Sequence, residues 1–473
     1  MIGRRMSSRR RRQRTDAPAQ AMQQRKLHIE VVGRQDAHAI HSVVLRILSE
    51  IGVVVEDEMT RRMLLGHADC REAADGYVQI SQDLVERALE TVPNKVLLYD
   101  REGNQVVDTS SSVPSFCVGH NCVNVLDYES GEHRPGTLKD IVHTGKVTEQ
   151  LSYVDVVASL GYPTDVPVSK EAELSVTALI DHTKKPVAFT GHDEVEAEAI
   201  WSCLAGAVGG WENLADKPCG LDLTGPVSPL KLGDEFCRRV TMAADRSLPL
   251  VCFPALFPGM SGPISLAGAI AQSSAESLAG VVIHQLTNPG APIMAGSSIL
   301  PMDMRRADLA YGSPELMLAG IGAVDYFNAI GVPSWVGAGC SDSHVPDLQA
   351  ASEVGANMAL AALAKTGFIH RLGFLSGGRT GSLEMLVLCD ELASMTNSFA
   401  GGITVDDENL AFDTIKRSAH DNGFITDPHT IERYQTEMWL PGMFDRSDVA
   451  RWREEGGANM GEKTKDRLRD LLR

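Results

Sequence analysis

The sequence predicts an α/β protein: a (β/α)8 TIM barrel with an N-terminal helical and mixed cap and a C-terminal wrapping extension. Three observations predict it. From about Cys117 onward, short apolar β-branched runs alternate with longer amphipathic stretches, the pattern of parallel strands covered by helices. Eight such pairs occupy roughly 280 residues, close to the ~250 that a (β/α)8 barrel takes. No Gly-x-Gly-x-x-Gly follows the first strand, which removes the main argument for an open doubly wound sheet.

The predicted strands are Cys117–Leu126, Val154–Leu160, Pro186–Thr190, Cys219–Leu223, Leu248–Phe253, Pro292–Gly296, Ser334–Gly339 and Ile369–Phe374. The predicted helices span 138–151, 171–183, 194–209, 229–246, 264–288, 313–331, 347–366 and 381–398. Punctuation supports the pairing. Lys184-Lys185-Pro186 opens a strand and Gly191-His192 closes it, while Asp193 stands as N-cap before Glu194 and Glu196, where negative charge meets the positive helix end. Asp347 is placed in the same way before the seventh helix. The domain reading is a basic disordered tail over 1–26, a cap over 27–115, the barrel over 116–402 and a C-terminal extension over 403–473. In the cap, Ala37 to Leu48 and Ser81 to Thr91 read as helices and Lys95 to Tyr99 as a strand. The extension is expected to wrap the barrel or to make an oligomer contact.

Composition narrows the function. The 473 residues are 43% hydrophobic and 22% charged, ordinary for a folded protein. Net charge is −18, yet the first fourteen residues hold seven arginines and no acid, so the body is strongly acidic. An acidic body argues against a nucleic-acid partner, because phosphate contacts need clustered Lys and Arg. Two charge-free stretches, Ser247 to Ala275 and Ser277 to Met302, are long enough for membrane spans, but repeated prolines break them and no membrane is expected. Nine cysteines without a Cys-x-x-Cys pair fit a reduced, cytoplasmic protein.

Barrel enzymes carry their chemistry on loops at the C-terminal ends of the strands. Here those loops hold no P-loop, catalytic triad or His-Glu-x-x-His. The longest, Ser297 to Gly312, contains Asp303, Arg305, Arg306 and Tyr311; the most polar runs Cys340-Ser341-Asp342-Ser343-His344-Val345-Pro346-Asp347. His120-x-Cys122 with Cys340-x-x-x-His344 offers two thiolates and two imidazoles, a zinc-like set. The pair at 120 and 122 lies within an apolar strand, where packed cysteine is the commoner outcome, and no metal is expected.

The ordered motifs resemble those of the trimethylamine methyltransferase superfamily, on the branch without pyrrolysine that includes glycine betaine:corrinoid methyltransferases. The resemblance covers roughly residues 37 to 455. It rests on Ile51-Gly52-Val53, Tyr99-Asp100-Arg101, Tyr162-Pro163-x-Asp165-Val166-Pro167, Lys185-Pro186 and Ser228-Pro229-Leu230. It continues through Ala275-Glu276-x-Leu278-Ala279-Gly280, Met302-Asp303-Met304, Gly312-Ser313-Pro314-Glu315 and Ser341-Asp342-Ser343-His344-x-x-Asp347-x-Gln349-Ala350.

The resemblance implies a barrel fold and methyl transfer from an amine to the cob(I)alamin-type cofactor of a separate corrinoid protein. No cofactor is then held tightly by this chain, and no Asp-x-His-x-x-Gly cobalamin motif occurs in it. A quaternary amine leaves as a neutral amine and needs no proton, whereas trimethylamine must first gain charge at nitrogen, which the family's trimethylamine enzymes achieve with pyrrolysine. This sequence uses only the twenty standard residues. Glycine betaine is the expected donor; proline betaine, carnitine, γ-butyrobetaine, or binding without transfer are the alternatives.

A quaternary ammonium is held by aromatic faces, and Tyr162, Phe189, Phe253 and Tyr311 lie at strand ends or in loops. Arg305, Arg306 or His344 would meet a substrate carboxylate, and Gln349 belongs to the most recognisable segment. Asp342 and His344 are the expected catalytic pair, acting by orientation and charge. Arg371, inside a strand, would instead pair with an interior acid. A homo-oligomer is expected.

Overall fold

The computed structural model describes residues 27–420 and 423–473; the basic stretch 1–26 lies outside them. The barrel strands are Ser115–Val118, a short second strand whose bridges are at Val156 and Val157, then Val187–Phe189, Gly220–Thr224, Leu250–Cys252, Ile293–Ala295, Trp335–Gly337 and Phe368–Leu372. Every neighbouring pair is parallel: Cys117 with Val156, Val157 with Val187, Val187 with Gly220, Asp222 with Leu250, Leu250 with Ile293, Ala295 with Ser334 and Trp335 with Phe368. Phe368 then pairs with Ser115, and the sheet closes.

These strands are apolar because both faces are covered. Outside them lie the helices Leu138–Gln150, Glu171–His182, Glu194–Ala207, Asp234–Asp245, Leu266–Thr287, Pro314–Ala329, Leu348–Leu363 and Leu383–Gly401, each overlapping its predicted span. Asp193 and Asp347 cap theirs as expected, accepting the N–H of Glu196 and Ala350. Leu266–Thr287 is long and apolar enough to cross a membrane, but 78% of its apolar window is buried inside the protein. Its Glu276 is fully buried and accepts from Ser228 Oγ and from the N–H of Leu230, so the helix is a core element.

Two boundaries differ from the sequence reading. The first run, read as one strand over Cys117–Leu126, stops at Val118. Gly119 passes so close to the Phe374 ring that a Cβ would lie 2.0 Å from it, and Asn121 turns the chain with φ 56°. The remainder, Asn124–Leu126, pairs with His133–Pro135 and Thr380–Gly381 in a small sheet beside the barrel mouth. The fourth helix begins at Asp234 rather than 229, because Lys231–Leu232 pairs in parallel with Val54–Val55 of the N-terminal segment.

That N-terminal segment contains helices Arg34–Arg46, Glu58–Leu65 and Gln82–Thr91 and the hairpin Leu97–Tyr99/Gln105–Asp108. Val44, Leu48, Val85 and Leu64 join the core built on Leu266–Thr287. At the other end, Met460–Leu472 returns to the barrel wall: Leu468 and Leu471 are buried, and Gln150 Nε2 donates to the Leu471 carbonyl at 2.6 Å.

Candidate active site

The C-terminal ends of the strands surround a layer of aromatic and basic side chains. His370 is buried on the eighth strand. His120, just past the first strand, shares a hydrogen bond between its Nδ1 and His370 Nε2 at 3.1 Å, and the rings stack with centroids 4.9 Å apart. His120 Nε2 lies 3.4 Å from Thr190 Oγ1, whose own proton goes to the Leu223 carbonyl at 2.6 Å. Burial, helped by the charges of Arg371 and Arg239, depresses His120 to about 4; burial pushes His370 well down too. Both imidazoles are therefore neutral at pH 7.

Phe253, Trp335 and His370 form an aromatic wall, Phe253 edge-on to Trp335 at 4.9 Å and Trp335 edge-on to His370 at 6.0 Å. Arg371 follows His370 in a bulge, and its φ of 76° holds a non-glycine residue in the left-handed region. Such a conformation costs about 1–2 kcal/mol. Its guanidinium runs across Gly337, lies 5.2 Å from the Tyr311 ring and 5.8 Å from that of Trp335, and donates to Ser298 Oγ.

Behind the third and fourth strands, Arg239 and Asp222 form a buried ion pair. Arg239 also donates to the Gly191 carbonyl at 2.7 Å and the Leu223 carbonyl at 2.9 Å, tying helix Asp234–Asp245 to two strand ends.

The sequence-predicted residues fall in several places. Asp342 accepts the N–H groups of both Tyr311 and Gly312 at 2.8 Å, so it shapes the long loop from behind. Burial raises its carboxyl above the ordinary range. His344 is exposed at the mouth, its Nδ1 2.9 Å from Ser376 Oγ. Phe253 stands in the aromatic wall. Tyr311 is buried, with Arg371 over its ring where a substrate ammonium was expected.

Phe189 packs edge-on against Trp201 of the outer helix layer, centroids 5.1 Å apart, and serves that packing. Arg305 is 89% exposed and pairs with Asp303 of its own turn, while Gln349 is exposed and donates to Glu353. Arg371 meets no carboxylate at ion-pair distance among the described residues, contrary to the expectation of an interior acid.

Tyr162 belongs to a separate rim cluster. Its hydroxyl is 3.0 Å from His192 Nε2, beside Glu171 and Glu196. Burial, with Glu196 nearby, raises the Glu171 carboxyl. His120, Cys122, Cys340 and His344 do not gather: His120 is held by His370, Cys122 Sγ faces the Gly378 carbonyl and His344 faces Ser376. Sequence reasoning missed Trp335, His370 and Ser298 as site residues. A His-Arg pair within a buried apolar strand was the signal for the first two positions of the bulge.

A family model described as trimethylamine methyltransferase (MTTB) matches residues 2–473. The chain belongs to the trimethylamine methyltransferase family. It is a methyltransferase with the barrel fold. Among its relatives, a glycine betaine methyltransferase of Desulfitobacterium hafniense is 27% identical, the match covering 90% of this chain and 88% of the relative. A trimethylamine methyltransferase of Methanosarcina barkeri is 29% identical, covering 92% and 89%. The solved monomethylamine methyltransferase of Methanosarcina barkeri has the same fold at 13% identity, with a TM-score of 0.52 over 94% of this chain and 88% of that one.

Proposed function

We propose that this protein moves a methyl group from a quaternary amine, glycine betaine first among them, to the Co(I) centre of a corrinoid carried by a separate protein. The observation that carries the reading is the aromatic wall of Phe253, Trp335 and His370 at the strand ends, a surface suited to a quaternary ammonium. Burial also keeps His120 and His370 neutral, so neither serves as a cationic acid offering a proton to the donor. A quaternary nitrogen needs none, since it leaves as a neutral tertiary amine when its methyl bond breaks. The relative named for glycine betaine supports the choice of donor.

The corrinoid supplies a strongly nucleophilic cobalt. The rest falls to this chain: to hold the donor, exclude water and aim one N–methyl bond along the barrel axis toward the mouth. The aromatic wall of Phe253 and Trp335 gives an apolar bed for the methyl groups, and Asp342 fixes the loop that carries Tyr311. Asp342 and His344 act here by position and charge, not by proton transfer.

The test is a transfer assay with reduced corrinoid protein and a panel of glycine betaine, proline betaine, carnitine, γ-butyrobetaine and trimethylamine. A cobalt-methylation signal with one betaine, and none with trimethylamine, supports the reading. Tight binding of a betaine without any cobalt methylation would make this a binding protein and refute it.

A further inference from the structure

Arg371 carries two costs that the fold does not repay. Its backbone sits at φ 76°, and the residue is 7% exposed without a carboxylate partner among the described residues. A guanidinium taken out of water without a counter-charge is strongly unfavourable. Asp342, the acid of the adjacent loop, spends its two oxygens on the N–H groups of Tyr311 and Gly312. What Arg371 does have is a hydroxyl, Ser298 Oγ, and the faces of Tyr311 and Trp335.

The surroundings are shaped for it. A Cβ on Gly337 would lie 2.6–2.8 Å from Cδ, Nε and Cζ of Arg371, so the residue lacking one lets the side chain cross the seventh strand inside the barrel. Next to it, Trp335 is 4% exposed and its indole N–H has no acceptor. That N–H lies over Gly296, where a Cβ would be 2.3 Å away, one residue before the Ser297-Ser298 pair. A buried cation without an anion and a buried donor without an acceptor thus share one side of the barrel interior.

We infer that Arg371, with Ser298 and the indole N–H of Trp335, is the subsite for the carboxylate of a zwitterionic donor, and that it selects betaines against quaternary amines lacking an acid. The inference rests on the proposed function for the identity of the donor. A planar guanidinium matches a carboxylate in a two-pronged contact that an ammonium cannot copy. The same charge repels a bare cation such as choline, while the two histidines, being neutral, add no further repulsion. The trimethylammonium end must then lie away from Arg371, toward Phe253 and the imidazoles. Selection comes from a repulsive element as well as an attractive one.

The experiment is calorimetric titration of the purified protein with three probes. Glycine betaine has both ends, 3,3-dimethylbutyrate replaces the ammonium by a neutral tert-butyl group, and choline keeps the ammonium without an acid. Wild type is expected to bind both carboxylates, and choline at least tenfold more weakly. Arg371→Met should weaken both carboxylates at least tenfold and bring choline within threefold of glycine betaine. Arg371→Lys should fall between. Ligand-free Arg371→Met should also unfold at or above the wild-type temperature, because an unpaid buried charge is gone; a purely structural arginine would lower it.

Equal carboxylate binding by wild type and Arg371→Met, absence of carboxylate binding by wild type, or loss of fold in the variant would each overturn the assignment. Arginine-dependent binding of 3,3-dimethylbutyrate together with no methyl transfer from any betaine would leave the subsite standing and remove the proposed function. Transfer from glycine betaine that is unchanged in Arg371→Met would do the reverse.

Discussion

Replacing Arg239 by Met tests how the barrel holds its interior together. Asp222 is fully buried, and Arg239 supplies both its counter-charge and donors to the carbonyls of Gly191 and Leu223. Removing one partner of a buried pair costs about 3–5 kcal/mol, and each orphaned carbonyl adds about 1 kcal/mol, some 5–7 kcal/mol together. For 473 residues the unfolding entropy is ~1 kcal/mol/K, so the unfolding temperature should fall by about 5–7 °C.

The pH dependence has a definite sign. Burial raises the Asp222 carboxyl and Arg239 opposes the rise, so the variant leaves burial alone. The folded variant then binds a proton more tightly than the unfolded chain, and stability is regained as pH falls below the raised value, by at most ~1.4 kcal/mol per unit. Scanning calorimetry at about pH 5.5 and pH 8 should show a smaller deficit relative to wild type at the lower pH. The double variant Asp222→Leu with Arg239→Met should recover most of the loss and show no such pH dependence. A single variant as stable as wild type, or a double variant no better than the single, would refute the reasoning.

Three further outcomes are expected. Gly225→Ala places a Cβ 1.5 Å from the Phe253 carbonyl oxygen, which backbone cannot accommodate, so soluble yield should collapse. Asp342→Ala frees the N–H groups of Tyr311 and Gly312, and His344→Ala frees Ser376; each should lower kcat/KM for methyl transfer at least about tenfold, ~1.4 kcal/mol, with circular dichroism unchanged. Because His120 stands at about 4 in the folded protein, the transfer rate should show no inflection across roughly pH 6 to 8. In the same protein stability should decline as pH falls from about 6.5 toward 4, since the unfolded chain takes up the proton first.

The barrel was legible because its signals are local. Each strand is a short apolar run closed by Gly, Pro or an N-cap such as Asp193, and those features do not depend on distant partners. The overlong first strand has the same origin: Gly119 reads as one more small residue until the Phe374 ring, far along the chain, shows why nothing larger fits. The site was less legible. Tyr311 was placed in the right loop, but only the fold shows that Arg371 already covers its ring. Arg371 itself was noticed as a charge inside a strand, and pairing with an acid was the ordinary expectation; its bulge and the glycine at 337 that admits it are three-dimensional facts. Phe189 and Phe253 carry the same residue type at equivalent strand ends, yet one faces the helix layer and the other the interior, a difference of strand phase that composition does not encode.

The central claim is methyl transfer from a quaternary nitrogen to cobalt, and stoichiometry tests it most directly. Glycine betaine with all three N-methyl groups trideuterated would be incubated with this protein and excess reduced corrinoid protein, and both products counted by mass spectrometry. The account requires equal amounts of dimethylglycine and methyl-cobalt, with trideuterated methyl on cobalt and none formed when this protein is omitted. Dimethylglycine formed without methyl-cobalt, or methyl-cobalt formed equally well from trimethylamine, would contradict it.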